Sequence, residues 1–426
     1  MRYFLNIFYS IALVLYLPKV LYRRYVHGRY KDGLAHRFAR FGTLPHRRGS
    51  VIWIHAVSVG EVNATRSLIK ELRAMDAGLE FVITSTTDTG YARAKAVYKD
   101  DVDIFYFPFD FSWIMRRAFA SIKPTVCVLM ELEVWPNFIY TAGKNKVPVI
   151  VANGRISDNS YPTYRKLRWF VKRIFSNITI FCAQTEVYAR RYLSLGGRDG
   201  TVVVTSSLKY DTVETDPLRV PGRNELTNEI SYTPERPFLV AGGSGPGEEQ
   251  MLLDVYESLY KINKKLRLAV VPRKPERFDE VAALIEKSPH SSMRYSALKN
   301  GKGSSGADII LVDTMGDLRK FYSIAHLVFV GRSLVPMGGS DMLEAAALKV
   351  FTTFGPHTFN FRQTVEVLTA GQGAVEAADS HELKAVLAKA LQDDAYRNDT
   401  ARRGQEIIIS NQGASAKTAG IILDML

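Results

Sequence analysis

From Ser50 onward the chain repeats one pattern, a short apolar run, a polar loop and an amphipathic stretch, and few folds accept it. The apolar runs fall at 51–54, 80–84, 104–107, 125–130, 147–152, 178–183 and 201–204. Runs this short read as strands, and the stretches between them are mostly long enough for helices. Continuous rather than alternating apolar character means burial on both faces, which is the mark of a mainly parallel sheet covered by helices on each side. Residues 211–236 interrupt the rhythm with Pro217, Pro221, Pro234 and many charges. A second series then begins, with strands expected at 237–241, 266–271, 309–312 and 327–330, and with the Ser-, Gly- and Lys-rich 289–306 as a surface excursion. At 426 residues the chain is too long for one hydrophobic core. The expected division is an N-terminal segment 1–49, a first α/β domain 50–213, a linker 214–236 and a second α/β domain 237–426. Two such domains set two rows of strand-end loops across a cleft, where two substrates can meet.

The net charge of +13 is concentrated at the N-terminus. Residues 1–49 hold ten Lys or Arg against Asp32 alone. A basic patch suits nucleic acid or an anionic membrane surface. The preceding stretch decides between them, because residues 3–18 are almost wholly apolar and aromatic. That stretch is shorter than the roughly 20 residues that span a bilayer, and most of its charge follows the apolar run, whereas a cleaved signal carries it in front. It reads as an uncleaved N-terminal anchor at the cytoplasmic face of a membrane, with no nucleic-acid partner. Cys127 and Cys182 sit inside apolar runs and have no metal-site spacing, so they read as buried thiols.

The loops carry the chemistry. His55-Ala-Val-Ser-Val-Gly-Glu61 follows a strand and opens a helix, which places Glu61 at the strand-end edge where open α/β sheets bind ligands. Taken alone, Glu61 reads more readily as a carboxylate complementing the helix dipole. Ala241-Gly-Gly-Ser-Gly-Pro-Gly-Glu-Glu249 is a glycine-rich turn able to cradle a phosphate, although it matches neither the dinucleotide fingerprint nor the P-loop. Arg273, after the next strand, is suited to an anionic phosphate or, more blandly, to a surface ion pair with Glu276. Glu344, reached through the turn Gly338-Gly-Ser-Asp-Met-Leu-Glu344, suits ribose hydroxyls or simply solvent.

Taken together, six segments occur in order: the His55–Glu61 stretch, Met130-Glu-Leu-Glu-Val-Trp-Pro-Asn137, Ser207-Leu-Lys-Tyr-Asp211, Val271-Pro-Arg-Lys-Pro-Glu-Arg277, Asp313-Thr-Met-Gly-Asp317 and Gly355-Pro-His-Thr-Phe-Asn-Phe361. Their joint pattern closely resembles the 3-deoxy-D-manno-octulosonic acid (Kdo) transferases of lipopolysaccharide biosynthesis. The resemblance runs from the N-terminal segment almost to the C-terminus. It implies a GT-B glycosyltransferase of two Rossmann-like doubly wound domains. The N-terminal domain would receive a lipid A precursor at the inner membrane and the C-terminal domain would bind CMP-Kdo, in an inverting transfer. By motif position, Glu61 resembles the family's general base, and Glu131 and Lys209 its transition-state stabilisers. Pro272, Arg273, Met315, Gly316, Asp317, Asp341, Met342, Leu343 and Glu344 occupy the places of its CMP-binding segments. No metal and no cofactor are expected. Departures fall at Gly245-Pro246, Lys274 and Ser340-Asp341, where many relatives carry His-Glu, His and His-Asn. Two other readings stand beside this one: a GT-B lipid glycosyltransferase using a UDP-sugar, and a catalytically inactive, membrane-attached nucleotide-binding protein.

Overall fold

The computed structural model describes residues 33–426 apart from 43, 45–48, 99, 100, 303 and 304, together with positions 6, 7, 9–11, 15, 18 and 22. Most of the expected N-terminal anchor lies outside the described residues, and no described helix is long and apolar enough to cross a membrane. The chain forms two compact units, one of residues 1–212 with 412–426 and one of 213–411.

The first unit is a seven-stranded sheet of β1 (Val51–His55), β2 (Glu80–Ser85), β3 (Asp103–Tyr106), β4 (Val126–Met130), β5 (Val149–Gly154), β6 (Ile180–Ala183) and β7 (Val202–Val204). Its order is β3-β2-β1-β4-β5-β6-β7, and every neighbouring pair is parallel. Strand periodicity explains the unbroken apolar runs. Trp53, Cys127 and Leu129 enter one core, while Ile52, Ile54, Val126, Val128 and Met130 enter the other. Trp53 is fully buried, and truncating an aromatic in such a setting costs about 3–5 kcal/mol.

The last helix, Ala414–Leu423, belongs to this unit, so 412–426 does not close the second domain as the sequence suggested. Ala414, Ala419 and Ile422 join the core that holds Ile52 and Leu68. Asp211 fixes the helix start, accepting from the backbone N–H groups of Gly413 (2.7 Å) and Ser415 (2.6 Å).

The second unit holds β8 (Phe238–Ser244), β9 (Arg267–Pro272), β10 (Ser292–Arg294), β11 (Ile309–Leu311), β12 (Leu327–Val330), β13 (Phe351–Phe354) and β14 (Val375–Glu376). Its order is β10-β11-β9-β8-β12-β13-β14, again parallel throughout. Three of these strands escape the sequence pattern. β13 reads Phe-Thr-Thr-Phe, whose two central threonines are fully buried, and β10 is a half-exposed edge strand without an apolar run. The expected excursion 289–306 therefore contains β10 and a short helix, Tyr295–Lys299, whose Tyr295 is buried and bonds Glu229 at 2.6 Å. The expected linker also packs into this unit. Leu226 and Ile230 are fully buried, and the Ile230 carbonyl accepts from Arg267 at 2.8 Å.

Candidate active site

In the first unit the candidate residues sit at the carboxyl ends of the strands. β1 runs into the turn 56–58 and then the helix Val59–Met75, whose N-cap is Ser58. Ser58 and Glu61 form a capping box. One Glu61 carboxylate oxygen, Oε2, accepts from the Val57 N–H at 2.9 Å. The other, Oε1, accepts from the Ser58 N–H at 3.2 Å and the Ser58 hydroxyl at 2.8 Å. A carboxylate offers about four acceptor positions, so one remains open beside these three bonds. The turn is stitched to its neighbour, with the Val57 carbonyl accepting from Ser85 Oγ at 3.0 Å. Gly90 is required there, because a Cβ would lie 2.4 Å from that carbonyl oxygen. Burial raises the Glu61 pKa, the Val57 and Ser58 donors oppose this, and the charge of Glu131 adds to the rise. Nearby His55 is a core residue, stacked on Phe107 and bonded to Thr84, and burial pushes it down to about 3.

The loop after β4 brings two further carboxylates. Glu131 has a left-handed backbone (φ 55°), a conformation that costs a non-glycine residue roughly 1–2 kcal/mol, and its carbonyl accepts from the Tyr192 hydroxyl at 3.2 Å. Glu133, quoted within its motif but given no role from sequence, is pushed up to about 7 by burial and by the charges of Glu61 and Glu131. The three glutamates thus form one electrostatic cluster, the arrangement by which proteins bring a carboxylate into the neutral range for proton transfer. Mutual charge was the missing signal, and it exists only once the β1 and β4 loops adjoin.

The loop is held from below by Asp110, which is 7% exposed. Its carboxylate accepts from the N–H groups of Asn137 (3.0 Å) and Phe138 (2.8 Å), at the start of the helix Pro136–Lys144. It also accepts from Tyr9 at 3.1 Å, and burial lifts it to about 7. Asn6 joins the same network, bonding Ser112 at 2.8 Å and Asn137 at 3.3 Å. Lys209 follows β7. Asn153, at the end of β5, accepts from the Leu208 N–H at 3.1 Å and so fixes the turn that carries it. The turn packs on the helix Val59–Met75, and the Lys209 ammonium is unpaired among the described residues.

In the second unit the structure gathers some of the expected binding residues and locks others away. The charges of Glu344, Asp341 and Arg273 all act on Tyr322, a residue the sequence did not mark. Its ring is buried and its hydroxyl has no hydrogen-bond partner among the described residues. Gly242 permits this, since a Cβ there would lie 2.0 Å from that hydroxyl. Arg273 is exposed and, among the described residues, pairs with no carboxylate, so the surface pair with Glu276 does not form. Pro272 ends β9 and is buried. Glu344 pairs with Arg319 at 2.6 Å. Met342 and Leu343 turn their side chains into the core, and the Leu343 N–H is taken by Asp341 at 3.0 Å. Neither offers a side chain to a ligand. Met315 is 65% exposed beside Gly316 (φ 91°). Asp317 is buried, and although burial opposes it, Lys320 at 2.6 Å, Thr314 and Lys299 hold its carboxyl below the usual range.

The glycine-rich turn is not an open phosphate cradle. Glu248, fully buried, accepts from the Gly245 N–H at 2.9 Å and from the backbone N–H groups of Arg332, Ser333 and Leu334, so a carboxylate already occupies part of that site. Ser340 donates to the Gly243 carbonyl at 3.1 Å, tying the two glycine turns together.

Residues 33–212 match the family model described as 3-deoxy-D-manno-octulosonic-acid transferase (kdotransferase). The 3-deoxy-D-manno-octulosonic acid transferase of Haemophilus influenzae is 32% identical over 93% of this chain and 91% of its own length. The enzyme of the same name from Bordetella pertussis is 29% identical over 92% of this chain and 91% of its own. A solved glycosyltransferase from Rickettsia africae aligns over 89% of this chain and 99% of its own, at 12% identity and a TM-score of 0.57, a likeness of fold. The two parallel-sheet units are those of a GT-B-like glycosyltransferase.

Proposed function

The chain belongs to the 3-deoxy-D-manno-octulosonic acid transferase family and is a Kdo glycosyltransferase of lipopolysaccharide synthesis, and on that premise we propose that it moves Kdo, with inversion, from CMP-Kdo to a lipid A precursor at the cytoplasmic face of the inner membrane. The observation that carries the mechanism is the cluster of Glu61, Glu131 and Glu133, whose charges act on one another at the carboxyl edge of the first sheet. Glu61 takes the proton of the acceptor hydroxyl as that oxygen bonds to the anomeric carbon of Kdo and the bond from that carbon to the CMP phosphate breaks. Positive charge develops at the sugar carbon in such a displacement, and the Glu131 carboxylate stabilises it. The ammonium of Lys209, unpaired among the described residues, balances the carboxylate of the sugar. Arg273, which likewise pairs with no carboxylate among the described residues, takes the CMP phosphate. Family membership favours this reading over the UDP-sugar and inactive alternatives. The test is to supply purified protein with a CMP-Kdo-generating system and a lipid A precursor. A Kdo-extended lipid by mass spectrometry with CMP released supports it; unextended lipid, or turnover of a UDP-sugar instead, sinks it.

Arg273→Ala is expected to weaken CMP binding by about 1.5–3 kcal/mol, the value of a charged hydrogen bond, which is roughly 10- to 100-fold in Kd. Titration calorimetry showing unchanged affinity would remove Arg273 from the site.

Membrane attachment is part of the same proposal. Ile7, Ile11 and Leu15, spaced four apart, are 59%, 55% and 76% exposed, while Asn6 and Tyr9 bond to the first unit. An apolar insertion with a polybasic segment is the two-signal arrangement that gives stable attachment. Deleting residues 1–18 is expected to release much of the protein from anionic vesicles, and salt should strip the truncated form further by screening its remaining basic residues. Truncated protein that floats as completely as the full chain at low and high salt would contradict this.

A further inference from the structure

After β5 the chain forms two consecutive helices, Tyr161–Lys166 and Arg168–Phe175. The second is fixed to the core by Val171, Ile174 and Phe175, all buried. That leaves the opposite surface free of any folding duty, yet it carries Leu167 at 48% and Trp169 at 68% exposure. Around them stand Arg165, Lys166, Arg168, Lys172 and Arg173, all exposed. No acidic residue occurs between Asp158 and Glu186, and none of the five cations forms an ion pair among the described residues. Five exposed cations without a carboxylate partner among the described residues, set around an outward tryptophan and leucine, make a basic and apolar patch of the kind that marks an interaction surface.

We propose that this surface is a second membrane contact, seating Trp169 and Leu167 at the headgroup boundary of an anionic bilayer with the five cations against lipid phosphates. The inference rests on the membrane reading given above and adds a face to it. Two features favour a bilayer over a protein or nucleic-acid partner. An indole with an apolar body and one N–H suits the interfacial zone, and the uniform charge complements an anionic surface. The first helix also adjoins the acidic cluster: the Tyr164 hydroxyl, raised by burial, is raised again by the charge of Glu133. Docking here would hold the acidic site beside the surface in which a lipid acceptor resides.

The test uses the full-length protein with a nitroxide at position 169 (Trp169→Cys) and, separately, at the exposed control position 385 (Ala385→Cys) on the second unit. Cys127 and Cys182 are buried, so labelling is confined to the introduced thiol. On vesicles rich in anionic lipid, the label at 169 should lose most of its accessibility to a water-soluble paramagnetic relaxant and gain accessibility to oxygen, while the label at 385 stays aqueous. Raising salt should reduce the shift before the protein leaves the vesicles. Bound protein whose 169 label is as water-accessible as the 385 label overturns this contact and leaves the N-terminal attachment standing. Protein that does not bind the vesicles at all overturns both.

Discussion

Glu61→Gln is expected to lower Kdo transfer by about 10²- to 10⁴-fold, the usual contribution of a positioned general base, while CMP affinity stays at the wild-type value. The amide keeps the shape of the side chain but cannot take a proton. The substitution also tests the plainer role of this residue, because Glu61 closes a capping box through three hydrogen bonds. An amide has one acceptor oxygen, so part of that box is lost at a cost of about 1 kcal/mol, enough to move the melting temperature a few degrees but not to unfold the unit. Binding of CMP by calorimetry separates the two roles, since the residues proposed for it lie in the other unit. A folded Glu61→Gln protein that transfers Kdo at the wild-type rate would reduce Glu61 to a helix cap.

Glu248→Ala is expected to be the most destabilising single change in the second unit. The carboxylate is fully buried and accepts four backbone N–H groups, from Gly245, Arg332, Ser333 and Leu334. Alanine leaves those donors in a site that water must invade to satisfy. One unsatisfied buried group costs about 1–3 kcal/mol, and with some relaxation the set should cost about 3–5 kcal/mol. For a unit of this size that is a fall in melting temperature of roughly 6–20 °C. Scanning calorimetry should show it in the transition of the second unit, with CMP binding weakened because the turn 243–247 loses its tie to 332–334. Unchanged melting would mean that the donors find other partners.

How much of this was legible in the sequence follows from what kind of signal each feature leaves. Strands buried on both faces leave unbroken apolar runs, and β1, β4, β8 and β12 were readable for that reason. β13 was not, because Thr352 and Thr353 are buried without being apolar, and β10 was not, because an edge strand needs no apolar run. The return of Ala414–Leu423 to the first unit leaves no mark in local pattern. It depends on Asp211 meeting two N–H groups some two hundred positions later. In the candidate site, Glu61, Glu131, Lys209 and Arg273 are singled out by motif position. Glu133 and Tyr322 acquire their character from neighbours contributed by other segments: two carboxylates in one case, and Glu344, Asp341 and Arg273 around a closely approaching Gly242 in the other. At 342–343 the side chains turn inward, which adjacency to Asp341 and Glu344 does not reveal.

The proposed mechanism centres on the acidic cluster, and the pH dependence of kcat/KM tests it most directly. A base works only when deprotonated, so transfer should rise with pH along an acid limb. Burial and mutual repulsion place that limb above the ordinary glutamate value of about 4.3, with the cluster rather than one residue setting its apparent pKa. Glu131→Gln removes the negative neighbour that raises Glu61, which makes Glu61 easier to ionise. The limb should therefore move to lower pH in the residual activity of Glu131→Gln, toward the ordinary carboxylate range, and it should be lost with the activity in Glu61→Gln. A limb at the same pH in wild type and Glu131→Gln would contradict the account, because it would mean that Glu131 does not act on Glu61 where the proton is taken.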